Sequence, residues 1–300
     1  MYQHSVSRHS FVLDILRQTK ASGWWGFLVF TLVLGFTFFN ILWLNHGVFI
    51  YTLDDPYIHL ALAENIARFH YGVNLGEFSS PSSSILWPLL LAPFAPFGFA
   101  EYVPLAINLV AAFLTLFLAW RFFSRLFYQV ASSNLLISFL LVCFIFLTNL
   151  IGLIFNGMEH SLHVLLSVMV TTGLIEWTLA KRQGDPIPSL LWVWVGIVLL
   201  PLVRYEGLAL SGFALGFLFL QGYRKSTVLV GLFIVSLLVG FSYFLVSLGL
   251  ETMPASILAK SKVMYSGGRL DVIAHKLMNH LTEPRFPMRI HLLVMAILVF

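Results

Sequence analysis

Two adjacent carboxylates, Asp54 and Asp55, follow the first long apolar run of the chain, residues 24–44. That run is long enough to cross a bilayer as a helix, which puts both acids at a membrane edge. Carboxylates are costly to keep there and usually functional, and a positioned carboxylate can remove a proton from a hydroxyl group. Because Pro56 favours a helix start, we expect Asp55 to cap that helix and Asp54 to be free to act on a substrate.

A second candidate group, Glu159 and His160, stands in a turn between two apolar runs. These two residues are predicted to bind substrate, with a polar turn between two helices as the alternative. Together with Asp54 and Asp55 they are candidate ligands for a divalent cation, Mg²⁺, Mn²⁺ or Ca²⁺, because such ions prefer oxygen donors. His163, one helical turn further on, is expected to form a hydrogen bond between helices.

Three more charged residues suggest an anionic ligand. Arg204 and Glu206 lie in a short turn between two apolar runs, and Lys260 follows the later apolar run 227–249. Arg204 can hold a phosphate with two parallel hydrogen bonds, or it can neutralise Glu206. The predicted orientation of the chain puts Lys260 on the outer side, where basic residues are disfavoured, so we predict that Arg204, Glu206 and Lys260 contact substrate.

The composition identifies an integral membrane protein. Hydrophobic residues make up 59% of the chain, charged residues only 10%, and the mean hydropathy is +0.90. Apolar runs of nearly 20 residues predict helices and exclude a β-barrel, so the fold class is an all-α, polytopic transmembrane bundle. The net charge of +4 comes from short basic clusters between the apolar runs, which is typical of membrane orientation and not of nucleic-acid binding. The single cysteine, Cys143, excludes an internal disulfide.

The basic clusters also predict the topology, because they collect on the cytoplasmic side of a membrane. A consistent path requires that residues 84–99 do not cross, and three prolines in that short segment support this. Residues 45–101 then form one outer loop with two amphipathic helices at the membrane surface, and in the first of these His59 is expected on the polar side. The predicted spans are residues 24–44, 102–120, 134–154, 161–180, 189–203, 208–221 and 227–249.

The corresponding organisation has four parts. Residues 1–23 are expected to be cytoplasmic, and residues 24–249 to form the transmembrane catalytic module that includes the outer loop. Residues 250–290 are expected to form a second outer loop, and residues 291–300 the start of an incomplete further helix.

Taken in order, the motifs of the chain resemble a known family. The motifs are the Asp54-Asp55 pair, the run SPSSSILW at residues 80–87, GMEH at 157–160, RYEG at 204–207 and PASILAK at 254–260. This order is similar to that of GT-C superfamily glycosyltransferases, which use polyprenyl-phosphate sugars as donors, and especially to bacterial arabinofuranosyltransferase-like and mannosyltransferase-like proteins.

The resemblance implies an enzyme of the bacterial inner membrane with its active site on the extracytoplasmic side. Asp54 would be the general base with Asp55 as its partner, and Arg204 and Lys260 would contact the lipid-linked phosphate. The partners would be the bilayer, the polyprenyl-phosphate-linked sugar and a glycan, lipid or protein acceptor. Two alternatives remain open: a transporter or flippase of lipid-linked sugars, although no internal repeat supports it, and an O-antigen-type ligase or polymerase.

Overall fold

The computed structural model describes residues 23–127 and 133–258, and within these ranges it contains helices and turns but no β-strand. The predicted all-α fold is therefore confirmed. The helices are α1 (Trp24–Leu44), α2 (Asp55–Ala67), α3 (Leu86–Leu91), α4 (Val103–Phe127), α5 (Ser133–Leu147), α6 (Leu150–Phe155), α7 (His160–Gln183), α8 (Leu191–Val203), α9 (Gly207–Leu220) and α10 (Arg224–Ser247), with 3₁₀ turns at Ala92–Phe94 and Ala100–Tyr102.

In the described part of the chain, four helical segments are long and apolar enough to cross a membrane. These are Trp24–Leu44, Ala100–Phe127, His160–Gln183 and Arg224–Ser247. Three other predicted spans correspond to shorter apolar helices, α5, α8 and α9, of 15, 13 and 14 residues. At 1.5 Å per residue each extends about 20 Å, less than the ~30 Å of a bilayer core, so helix length alone does not identify these three as spans and their crossing stays a prediction.

The predicted span 134–154 is interrupted at Asn149. This residue has φ 49° and ψ 39°, the left-handed conformation that ends α5 and begins α6. Asparagine is one of the few residues that adopt this conformation readily, and hydropathy alone does not register it. The Asn149 side chain lies directly over Gly152, where an added Cβ would be 2.5 Å from its Oδ1 atom.

Residues 84–99 form only short helices, as their prolines predict. Helix α3 has six residues and continues into a three-residue 3₁₀ turn, so it extends only about 9 Å before the turn. Trp87, Leu91 and Ala92 are buried against the neighbouring α2 and the start of α4. The segment therefore packs on the bundle and contains no helix that could span a bilayer.

Helices α4 and α7 form the centre of the bundle. Helix α4 packs along α7, α7 along α8, and α8 along α9. One group of buried apolar side chains comes from the four helices α7, α8, α9 and α10, and a second comes from α1, α4, α5 and α6. Helix α1 keeps most of its apolar surface outside the bundle, with Phe36 70% and Trp43 74% exposed, which fits a helix that faces lipid.

The charged residues of the described helices and loops separate into two ends of the bundle. The first, which we call the acidic end, carries Asp54, Asp55, Glu64, Glu77, Glu101, Glu159, Glu206 and Glu251 with Arg68 and Arg204. The second, the basic end, carries Arg121, Arg125, Lys181, Arg182, Arg224 and Lys225 with Glu176 and Asp185. Hydrogen bonds join the loops at each end. At the acidic end Tyr51 Oη donates to the Glu101 carbonyl at 2.6 Å, and at the basic end Lys181 Nζ donates to Gln221 Oε1 at 2.9 Å.

The chain forms two compact units, Met1–Thr252 and Met253–Phe300. All ten helices belong to the first unit. In the second, the described residues 253–258 form one helical turn, in which the Pro254 carbonyl accepts hydrogen bonds from the N–H groups of Ile257 and Leu258. Lys260 lies outside the described residues.

Candidate functional site

Asp54 and Asp55 are both exposed at the acidic end, at the beginning of α2. The helix begins at Asp55, so Asp54 occupies the N-cap position, and neither position provides a side-chain cap. The prediction that Asp55 caps the helix is therefore wrong. The cause is local: Asp55 is already the first helical residue, and Asp54, at the N-cap position, has helical φ and ψ values of −84° and −28°, whereas a capping residue requires an extended backbone. Neither carboxylate makes a hydrogen bond to the described residues.

The segment before α2 is anchored on the turn before α7. The Thr52 N–H donates to the Phe155 carbonyl at 3.2 Å. Gly157 has φ +68°, and an added Cβ would be 2.5 Å from the Tyr51 ring and 2.8 Å from Pro56. The glycine therefore permits a close approach between the segment that carries the acid pair and the turn that carries Glu159, about 100 residues apart in the sequence.

Glu159 and Arg204 form a buried ion pair beside this segment. The Arg204 Nη1 atom donates to Glu159 Oε1 at 2.8 Å, where the Glu159 side chain is fully buried and that of Arg204 is 14% exposed. Burial raises the pKa of the Glu159 carboxyl, and the Arg204 guanidinium opposes this shift. Two oppositely charged groups in low dielectric compensate each other, so the loss of either one leaves an expensive unpaired charge.

Arg204 also contacts two other predicted site residues. Its Nη2 atom donates to Glu206 Oε1 at 3.0 Å, and Nη1 lies 3.1 Å from His160 Nε2. Since arginine can only donate, His160 Nε2 is the acceptor in this contact. These contacts use three of the five guanidinium donors. Arg204 therefore neutralises Glu206, and it still keeps two donors for a ligand such as a phosphate.

His59 belongs to this site, contrary to the prediction that it lies on the polar side of α2. It is 3% exposed, and its Nε2 atom lies 3.9 Å from Glu159 Oε2. Burial lowers the pKa of His59 to about 4, with a further contribution from nearby His160. The prediction failed because helical periodicity does not report that this part of α2 meets Glu159, from the turn before α7. A signal was available, since His59 is one turn after Asp55 and so shares its helix face.

The serine-rich link contributes Ser83, which was also missed as a site residue. Its Oγ atom donates to Glu159 Oε1 at 3.4 Å. The link is fixed by Ser84, whose Oγ accepts from the Trp87 N–H at 3.0 Å, and by the Ile85 N–H, which donates to the Leu202 carbonyl at 3.1 Å. Because Leu202 is two residues before Arg204, these bonds hold the link beside the ion pair.

Buried polar atoms of Glu159 and His59 have no hydrogen-bond partner among the described residues. They are Glu159 Oε2 and His59 Nδ1. His163 does not form the predicted interhelical bond, since its Nε2 atom is buried and makes no hydrogen bond in the same part of the chain. Buried polar groups normally find a partner, so the first two atoms are suited to a polar ligand or water.

The predicted metal ligands are not assembled. Across residues 23–127 and 133–258, no three His, Cys, Asp or Glu side chains are placed to hold a metal ion. Two of the four candidates, Glu159 and His160, contact the guanidinium of Arg204. A cation at the same atoms would be repelled by that positive charge.

Fold and site together define an all-α helical membrane bundle with a buried ion pair and two exposed carboxylates at one end. Comparison with protein-family models, with curated proteins and with solved structures gave no match to this chain. The glycosyltransferase resemblance therefore rests on the sequence motifs, of which four lie within the described part of the first unit.

Proposed function

We propose that this chain is a membrane glycosyltransferase that transfers a sugar from a polyprenyl-phosphate donor to an acceptor hydroxyl at the acidic end. The observation that carries the proposal is the position of Asp54 and Asp55. Two exposed carboxylates, without a hydrogen bond to any described residue, lie on a segment that contacts Phe155 and Gly157, and the same turn carries Glu159 of the buried Glu159–Arg204 pair. Such an arrangement offers a proton acceptor and a cationic group to one substrate at a membrane surface.

The chemistry follows from these two groups. Asp54 removes the proton from the acceptor hydroxyl while that oxygen attacks the anomeric carbon of the donor sugar. The bond between the anomeric carbon and the phosphate oxygen breaks, and polyprenyl phosphate leaves with the electron pair. The new bond forms on the opposite face of the sugar, so the configuration inverts. Asp55 supports the base as its neighbour.

Arg204 is the proposed contact for the leaving phosphate. It keeps two guanidinium donors beyond those that bind Glu159, His160 and Glu206, and its side chain is still 14% exposed. A fixed donor aimed at developing charge stabilises the transition state more than the ground state. In this proposal the acidic end faces the extracytoplasmic side of a bacterial inner membrane.

The test is donor turnover by the Asp54→Asn variant. Membranes that contain the protein are supplied with radiolabelled polyprenyl-phosphate mannose or polyprenyl-phosphate arabinose, and released polyprenyl phosphate is measured. Because asparagine keeps the size but is not a base, we expect turnover to fall at least about 10²-fold. The control is Asp185→Asn, which removes an exposed acid at the basic end and should leave turnover unchanged. Full turnover in Asp54→Asn would exclude Asp54 as the base.

A further inference from the structure

A second ion cluster lies at the basic end, away from the proposed active site. Arg121 Nη2 donates to both oxygens of Glu176, at 3.1 and 3.0 Å, and Arg125 Nη1 donates to Glu176 Oε2 at 2.6 Å. Glu176 is 8% exposed, whereas each arginine side chain is 43% exposed. One buried carboxylate thus holds two guanidinium groups that also face outward.

The charge of this cluster is not balanced. A single arginine would neutralise Glu176, so the second leaves an excess positive charge on the exposed side. Among the described residues each arginine bonds Glu176 through a single nitrogen atom, Nη2 in Arg121 and Nη1 in Arg125, so the other donors of each guanidinium are left for a ligand. Two partly exposed forks on successive turns of α4 match the oxygens of a phosphate group.

The depth of the cluster fits lipid headgroups. Along α4, Arg121 lies 18 residues and Arg125 22 residues beyond Val103, which corresponds to about 27 and 33 Å. The hydrocarbon core of a bilayer is ~30 Å thick. If the start of α4 lies at one membrane surface, these arginines lie at the other, at the level of the lipid phosphates.

We propose that Arg121 and Arg125, positioned by Glu176, form a binding site for the phosphate of an anionic phospholipid in the leaflet at the basic end. The surrounding charge favours such a lipid over a zwitterionic one, because six basic residues and two acidic ones occupy this end among the described residues. This site does not depend on the proposed glycosyltransferase activity.

The experiment compares lipid retention by native mass spectrometry after exposure to equal amounts of phosphatidylglycerol and phosphatidylcholine. The variant is Arg121→Lys with Arg125→Lys, which keeps both charges and the neutralisation of Glu176 but removes the planar forks. The wild-type protein should retain more phosphatidylglycerol than phosphatidylcholine. In the variant the ratio of the two retained lipids should be at least about fivefold lower. Thermal unfolding checks that the variant is folded.

The matched control replaces Arg182 and Arg224 by lysine, which changes two exposed arginines at the same end. It should retain the wild-type preference. An equal loss in both double variants, or no preference in the wild-type protein, would overturn the proposal in favour of general electrostatic attraction. Displacement of phosphatidylglycerol by millimolar inorganic phosphate would overturn the assignment to a lipid, because it would show that the site recognises phosphate alone.

Discussion

At the scale of single residues, the site depends on charges that are buried and paired. Glu159 is fully buried, and Arg204 provides its charged partner at 2.8 Å. Such pairs contribute little net stability compared with apolar residues, yet their disruption typically costs about 3–5 kcal/mol. A contribution to folding therefore explains this pair less well than a positioning role does, in which Glu159 holds the Arg204 guanidinium in place.

The buried His59 gives the protein a predictable response to acid. Its folded-state pKa of about 4 lies below the ordinary value of 6.5, so the unfolded chain binds the proton more readily. The stability that His59 contributes is fully present above pH 6.5 and is lost as the pH falls towards 4. The loss is at most about 1.4 kcal/mol per pH unit.

Thermal unfolding between pH 7 and pH 4.5 tests this, with wild-type protein and the His59→Asn variant in detergent. The variant should lose less stability on acidification than the wild type. Comparing the two separates His59 from Glu159, whose raised pKa acts with the opposite sign. His46→Asn is the control, because His46 is exposed and asparagine tolerates its positive φ of 54°. Identical pH profiles in His59→Asn and wild type would contradict a buried, neutral His59.

At the scale of elements, turns with left-handed residues decide which segments meet. Asn149 divides one apolar run into α5 and α6, and Gly157 allows the segment before α2 to touch the turn before α7. Both residues have a positive φ, which asparagine and glycine adopt more readily than other residues. The contact at Gly157 brings the segment that carries the acid pair to the turn that carries Glu159, which the order of the helices alone does not determine.

Gly157→Ala should separate the acid pair from Glu159. Gly184 is a matched control, because its φ of +72° imposes the same backbone strain as the +68° of Gly157 but no atom lies within 4 Å of an added Cβ. We expect Gly184→Ala to cost about 1 kcal/mol, from backbone strain alone. Gly157→Ala should cost clearly more and should also lower turnover, because the new Cβ would overlap the Tyr51 ring.

The measurement is thermal unfolding of both glycine variants together with polyprenyl-phosphate release. Equal destabilisation of the two variants would mean that the Tyr51 segment moves aside without cost. In that case the contact at Gly157 does not position the acid pair.

At the scale of the whole molecule, charge divides the bundle. Eight acidic and two basic residues lie at the acidic end, against two acidic and six basic residues at the other end, within the described part of the chain. Basic residues are concentrated on the cytoplasmic side of membrane proteins. We therefore expect the acidic end, with Asp54 and Arg204, to face outward.

Single-cysteine labelling tests this orientation in intact cells. The native Cys143 is first replaced by alanine, and a cysteine is placed at Gly76 in the loop after α2 or at Gln183 at the end of α7. Both positions are exposed, and they belong to opposite ends. A membrane-impermeant maleimide should label position 76 and should reach position 183 only after the cells are opened. Labelling of both positions from outside would refute the topology.

The sequence by itself determined the membrane character, the helical class and the separation of charges. Long apolar runs can satisfy their backbone hydrogen bonds in lipid only as helices, so these features follow from composition and order along the chain. The prolines of residues 84–99 likewise excluded a spanning helix there, and the short RYEG turn limited Arg204 to a tight connection.

Only the tertiary structure decided which polar residues share a site. His59 is buried where α2 meets Glu159, and Arg204 meets Glu159 across 45 residues. Each outcome depends on packing between segments distant in the sequence, whereas periodicity and spacing report only on neighbours within a few turns. Burial and pairing of charges are properties of that packing, so the chain's motifs named most of the site but not its geometry.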